Sequence, residues 1–136
     1  MQRKAILVKK SIDGKKAFFV DERNAKEIYS ILNKDEAYKK KFRFALHQLL
    51  DGKITRDLYD KENFEKGCEH ITALKLFKGK NNPRIYCQEQ TFGEQKVFVI
   101  IACSVVAKKT TSSGLSKKDK QNIRSIAKYE YDIKDI

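Results

Sequence analysis

The sequence predicts a mixed α+β fold, and three features carry that expectation. Arg84 to Thr91 and Lys96 to Ala107 flank Phe92-Gly93-Glu94-Gln95, which reads as a hairpin whose second strand is apolar on both faces and belongs in the middle of a sheet. Two segments between residues 25 and 51 repeat apolar side chains at helical spacing. A third helix opens near the C-terminus, where Ser116 and Asp119 form the Ser-x-x-Asp variant of a capping box. With 136 residues, 40% of them apolar, the chain can build one modest core. Residues 1–136 are therefore read as a single domain, with residues 1–20 a possible additional N-terminal hairpin.

Taken in order, Ala5 to Val8 and Ala17 to Val20 flank Ser11-Ile12-Asp13-Gly14, and Asp-Gly between two apolar runs is a hairpin signal. Ala25, Ile28, Tyr29 and Leu32 form the stripe of a first helix. A second fits Asp35 to Asp51, with Tyr38, Phe42, Ala45, Leu46 and Leu49 on one face and Gly52 as its stop. Its polar face carries Lys39, Lys40, Lys41 and Arg43, which reads as a solvated surface. Residues 53–68 have no clean period and read as a connection with a short helical turn around Asn63 to Lys66. Ile71 to Phe77 alternates as a strand, and Gly79-Lys80-Asn81-Asn82-Pro83 is a turn by composition. Pairing Phe92 with Gln95 puts Arg84, Tyr86, Gln88 and Gln90 on one face, opposite Cys103, Ile101, Val99 and Val97. Such a polar face is either half exposed or lines a cleft. In the closing helix Ile123, Ile126 and Ala127 have core spacing, and Tyr129 and Tyr131 fall at its frayed end.

Thirty Lys and Arg against eighteen Asp and Glu give a net charge of +12. Residues 71–109 hold seven basic and two acidic side chains, so the excess is scarcely offset there. A field of this sign attracts polyanions, with RNA, DNA, an acidic protein or anionic lipid as the classes to consider. No helix-turn-helix pattern favours DNA. The longest apolar run, Val97 to Ala107, is too short to span a membrane. Met1-Gln2-Arg3-Lys4 leads into no signal-peptide core, so the cytoplasm is the expected location and no membrane partner is expected. Cys68, Cys87 and Cys103 cannot all pair and match no zinc spacing, which suits reduced, buried thiols. There is no Gly-rich phosphate loop, no zincin motif and no Gly-x-Ser-x-Gly elbow. His47 reads as structural, while His70, beside the basic segment, could take a catalytic or RNA-contacting role.

Lys75, Lys78, Lys80 and Arg84 place four cations within ten residues, on a strand and the turn after it. Two readings fit: a row that tracks a phosphate backbone, and a solvated basic edge strand that discourages aggregation. Attack of a 2′-hydroxyl on its neighbouring phosphorus needs a base, an acid for the 5′-oxygen, and cations for the growing phosphoryl charge. Lysine serves as base only if its pKa is depressed, arginine suits transition-state charge, and tyrosine can stack on a base or relay a proton. Lys108-Lys109-Thr110-Thr111 adds two cations and two hydroxyls directly after the apolar strand.

Leu74-Lys75-Leu76-Phe77-Lys78-Gly79-Lys80, Pro83-Arg84-Ile85-Tyr86-Cys87, Val97 to Val106, Lys108-Lys109-Thr110 and Ser116 to Tyr131 occur in an order that resembles the RelE/HigB superfamily of type II toxin–antitoxin mRNA interferases. About half the chain carries the resemblance. It implies a twisted, mostly antiparallel sheet with two N-terminal helices packed on it and a C-terminal helix. It also implies metal-independent, cofactor-free cleavage of mRNA on the ribosome and neutralisation by a cognate antitoxin. By position it implies catalytic roles for Lys75, Lys78, Arg84 and Tyr131, and RNA contacts for Lys80, Tyr86, Gln88, Lys108, Lys109 and Tyr129. The alternative is a non-catalytic RNA- or protein-binding member of the same fold. Residues 1 to about 20 exceed the single strand with which most members begin.

Overall fold

The computed structural model describes residues 2–61, 65–76, 83–106 and 117–133. Arg3–Lys10 (β1) and Lys16–Asp21 (β2) form the predicted antiparallel hairpin, with a bulge between Leu7 and Lys9. Asp13 organises its turn by accepting from the Ser11 hydroxyl at 2.6 Å and the Lys15 N–H at 2.9 Å. The chain then enters Ala25–Leu32 (α1) and Glu36–Asp51 (α2). Asp35 caps α2 by accepting from the Tyr38 N–H at 2.9 Å, satisfying one of the first-turn donors. Gly52 ends it at φ 71°, a left-handed conformation that lacks a penalty only for glycine. A Cβ there would also sit 2.8 Å from Lys16 Nζ, so that ammonium lies at the negative end of the helix.

Tyr59–Lys61 (β3), Ile71–Leu74 (β4), Arg84–Phe92 (β5), Val97–Val106 (β6), Lys117–Ala127 (α3) and Tyr131–Asp132 (β7) complete the described elements. They make a seven-stranded sheet in the order β3-β4-β5-β6-β2-β1-β7. Neighbours are antiparallel except at β2–β6 and β1–β7. The chain is thus an α+β protein with a mostly antiparallel sheet and, among the described residues, three helices. Among the described residues no helix is long and apolar enough to cross a membrane.

The two faces of the sheet bury different helices. Phe18, Val20, Leu74, Ile85, Ile100 and Ala102 pack against Ile28 and Leu32 of α1 and Phe42, Ala45, Leu46 and Leu49 of α2. Phe19, Ile71, Ala73, Val99 and Ile101 pack against Ile123 and Ile126 of α3. β6 lies between β5 and β2 and is buried from Val99 to Cys103, which explains its apolarity on both faces.

Several expectations need correction. The β5–β6 register pairs Phe92 with Val97, Gln88 with Ile101 and Arg84 with Val106, so the turn is wider by two residues on the β6 side. A two-residue slip preserves which side chains share a face, which is why the pattern misplaced the partners and not the faces. A bulge between Tyr86 and Cys87 adds Cys103 as the extra residue, since Tyr86 pairs with Ser104 and Cys87 with Ala102. β4 ends at Leu74, and β3, three residues long, lies in the segment read as a connection. The helical turn around Asn63 falls largely outside the described residues, as does Ser116.

Cys68, Cys87 and Cys103 are free and buried. Burial pushes the Cys103 thiol up to about 12 and the Cys87 thiol well above its ordinary value. A disulfide-exchange reagent at mildly alkaline pH should leave Cys87 and Cys103 unmodified in the native protein and react with all three thiols in denaturant. Rapid native labelling of Cys103 would contradict this packing.

Candidate nucleic-acid interface

Strand directions bring the basic segment together with residues far from it in sequence. β2, β4 and β6 run the same way, so their C-terminal ends share one rim of the sheet with the starts of β1 and β5. That rim carries Arg3 and Lys4, Arg23 after β2, Lys75 after β4, and Arg84 at the start of β5. Leu74 pairs with Ile85, and continuing this antiparallel register sets Lys75 beside Arg84. The Lys75 N–H donates to the Leu58 carbonyl at 2.6 Å, which fixes the backbone just beyond the strand. Lys75 and Arg84 are both half-buried.

α2 brings more charge to this rim. Lys41 Nζ lies 3.5 Å from the Leu76 carbonyl oxygen. Lys40, Lys41, Phe44, Leu58 and Leu76 line an adjoining hollow of about 340 Å³. The lysine face of α2 therefore meets the end of β4 and is in part more than a solvated surface. Lys78, Lys80, Lys108 and Lys109 lie outside the described residues. A rim of this kind can neutralise phosphate charge, and Arg84, whose Nε is buried, contributes to it as a half-buried cation.

Five other candidates hold the fold together. Tyr86 is fully buried on the α3 face, so it cannot stack on a nucleotide as expected. Gln88 is also fully buried, and its Nε2 donates to the Ile126 and Tyr129 carbonyls at 2.9 Å each. It thereby adds a donor to the Ile126 carbonyl, which also accepts from the Tyr129 N–H, and meets the Tyr129 carbonyl just past α3, while its Oε1 accepts from Gln90. His70 adds its Nε2 at 3.1 Å from the Ala127 carbonyl. The polar face of β5 is thus covered by a helix terminus at Gln88, while Arg84 and Gln90 on the same face stay half-exposed and Gln90 lines a shallow hollow with His70 and Glu89.

Tyr131 belongs to β7 and is 5% exposed, not at a frayed helix end. Its hydroxyl donates to Asp21 Oδ2 at 2.6 Å and lies 3.2 Å from Cys103 Sγ. Burial above all, then Cys103 and Asp21, pushes this phenol far above its ordinary range. A group so enclosed is not available to relay a proton to solvent-borne RNA, which corrects its expected catalytic role. Tyr129 has its ring under the Arg3 guanidinium, 3.9 Å from the ring centroid, and meets Tyr131 edge-on at 6.3 Å.

The residue that sequence reasoning missed is Asp21, which is fully buried. Arg3 donates to it from Nε at 2.6 Å and Nη2 at 3.2 Å, and the Asn24 N–H donates at 3.0 Å. Asn24 Nδ2 in turn reaches the Cys103 carbonyl at 2.7 Å. An aspartate that ends an apolar strand, with an arginine diagonally across the hairpin two residues from its partner Ala5, is the signal that could have found it. Among the described residues no three His, Cys, Asp or Glu side chains converge as a metal site.

Tyr131→Phe should lower the unfolding free energy by about 2 kcal/mol in urea, since it removes a donor from a buried carboxylate. Lys75→Gln should change it by less than about 0.5 kcal/mol. A stability-neutral Tyr131→Phe would free the tyrosine for another role. No family model, curated protein or solved structure matches this chain.

Proposed function

We propose that this chain is a RelE/HigB-like toxin, a metal-independent endoribonuclease that cleaves mRNA on the ribosome and is held in check by an acidic antitoxin. The observation that carries the reading is that Lys75 and Arg84 each adjoin the Leu74–Ile85 pair at one rim, and in sequence Lys108 and Lys109 follow shortly after β6. Two N-terminal helices on one face of a mostly antiparallel sheet agree with the RelE-like arrangement. In this reading the lysines and Arg84 meet the phosphate charge, and Arg84 steadies the phosphoryl oxygens as the 2′-hydroxyl attacks. Lys75 or Lys78 takes the hydroxyl proton, and the bond from phosphorus to the 5′-oxygen breaks to leave a 2′,3′-cyclic phosphate. The departing 5′-oxygen takes its proton from the other lysine or from water. The net charge of +12 supplies long-range attraction to the ribosome and its RNA.

Burial of Tyr86, Gln88 and Tyr131 favours a second reading, a non-catalytic RNA-binding protein of the same fold. It removes three expected RNA-facing or proton-relaying groups while leaving the basic rim in place. Inducible expression in a bacterium, with mRNA 5′ ends mapped before and after, separates the two. The toxin reading expects growth arrest and new codon-phased ends. Arg84→Ala should reduce those ends on the order of a hundredfold or more, with Lys75→Ala also defective. Unchanged ends with normal growth would leave binding as the function.

A further inference from the structure

We infer that the tip of the β1–β2 hairpin is a second RNA contact, at the opposite end of the sheet from Lys75 and Arg84. It rests on the reading above only for the class of polyanion. Residues 9–16 read Lys-Lys-Ser-Ile-Asp-Gly-Lys-Lys, with four lysines and one acid in eight positions. At the centre Ile12 is exposed to 107% of its reference, more than any other large apolar side chain among the described residues. The loop that holds it out is cross-tied. The Ser11 N–H donates to the Lys16 carbonyl at 2.8 Å, and the Gly14 N–H to the Ser11 carbonyl at 3.0 Å. The Lys16 N–H donates to Ser11 Oγ at 3.0 Å, and Asp13 engages Ser11 and Lys15. An isoleucine fixed outward on such a loop gains nothing for the fold.

The lysines around it are distributed for a curved or enveloping polyanion. The β1 bulge sets Lys9 opposite Phe18 and Lys10 opposite Ala17, so one faces the α1–α2 side of the sheet and the other the α3 side. Lys15 is exposed beside the tip, whereas Lys16 is engaged at the end of α2. A basic tip with a single apolar point, further along the hairpin from the exposed Ile6 and Leu7, suits phosphates flanking a groove, with the side chain against ribose or a base step. One isoleucine is a poor membrane anchor, which places RNA ahead of anionic lipid. Lys16 pairs with Phe98 and Arg84 with Val106, so the two basic ends are separated by the length of β6 between those residues, roughly 26 Å. The protein can therefore hold two separate stretches of RNA at once.

The test is the affinity of the full chain for a fluorescent RNA hairpin across a salt series. Lys9→Gln/Lys10→Gln/Lys15→Gln should weaken binding tenfold or more at low salt and flatten the log–log salt slope by about two to three. Ile12→Ala, a change at a fully exposed site, should weaken binding several-fold with the slope intact. Unchanged affinity and slope in the triple variant would overturn the proposal. So would hairpin-dependent binding to phosphatidylglycerol vesicles with none to RNA. Hairpin-dependent RNA binding in a protein that cleaves nothing would sustain this contact and sink the ribonuclease reading alone.

Discussion

The Asp21 carboxylate organises the end of the sheet on which the functional argument stands. It is fully buried, and a carboxylate in that position is costly unless its lone pairs are met by donors. Arg3 meets it from β1, Tyr131 from β7, and the Asn24 N–H from the entry to α1. The pairing raises the Arg3 pKa, chiefly through the hydrogen bond itself. Each donor comes from a different segment, so one side chain fixes the relation of two strands and a helix start to β2. Asn24 extends the tie to β6 through the Cys103 carbonyl. Losing any one partner leaves charge or donors stranded in a dry site, which makes such clusters cooperative.

The division of labour along this rim follows from that network. Arg3 is mostly spent on Asp21 and Tyr129, with its side chain 14% exposed. Tyr131 is spent on Asp21, and Gln88 on the last carbonyls of α3. What the rim exposes is the Lys40–Lys41 flank of α2, with Lys75 and Arg84 half-buried beside it. The polar residues under it are scaffolding, and the cations around it are the surface. A rigid, dry foundation under a basic edge is what phosphate recognition requires, because ordering the side chains then costs less on binding.

Elements whose physics is local were legible in the sequence. α2 announces itself through the Phe42–Leu49 stripe and the glycine at its end, and the structure keeps both, with Asp35 as its cap rather than its first turn. The Asp13–Gly14 turn and the doubly apolar β6 are legible for the same reason. Features set by long-range partners were not. β7 has two residues and no period, and it exists because Arg3 and Lys4 pair with Tyr131 and Asp132. Alternation in β5 correctly put Gln88 on one face, yet nothing local reveals that α3 ends above it. Of the candidate site, the basic residues were visible as composition. That Lys75 and Arg84 both adjoin the Leu74–Ile85 pair is a matter of register, which charge counting cannot supply. Asp21 stayed hidden because a charged residue before Glu22-Arg23-Asn24 looks like the start of a solvated turn.

An amide chemical-shift titration of the isotope-labelled chain with a short single-stranded RNA at low salt addresses the central claim most directly. The account predicts the largest perturbations at Leu74 to Leu76 and at Arg84 and Ile85. Gln88 and Tyr131 should shift little, because their partners are internal. Perturbations centred on Gln88 and Tyr131, or a spectrum that RNA leaves unchanged, would contradict the assignment of this rim to phosphate binding.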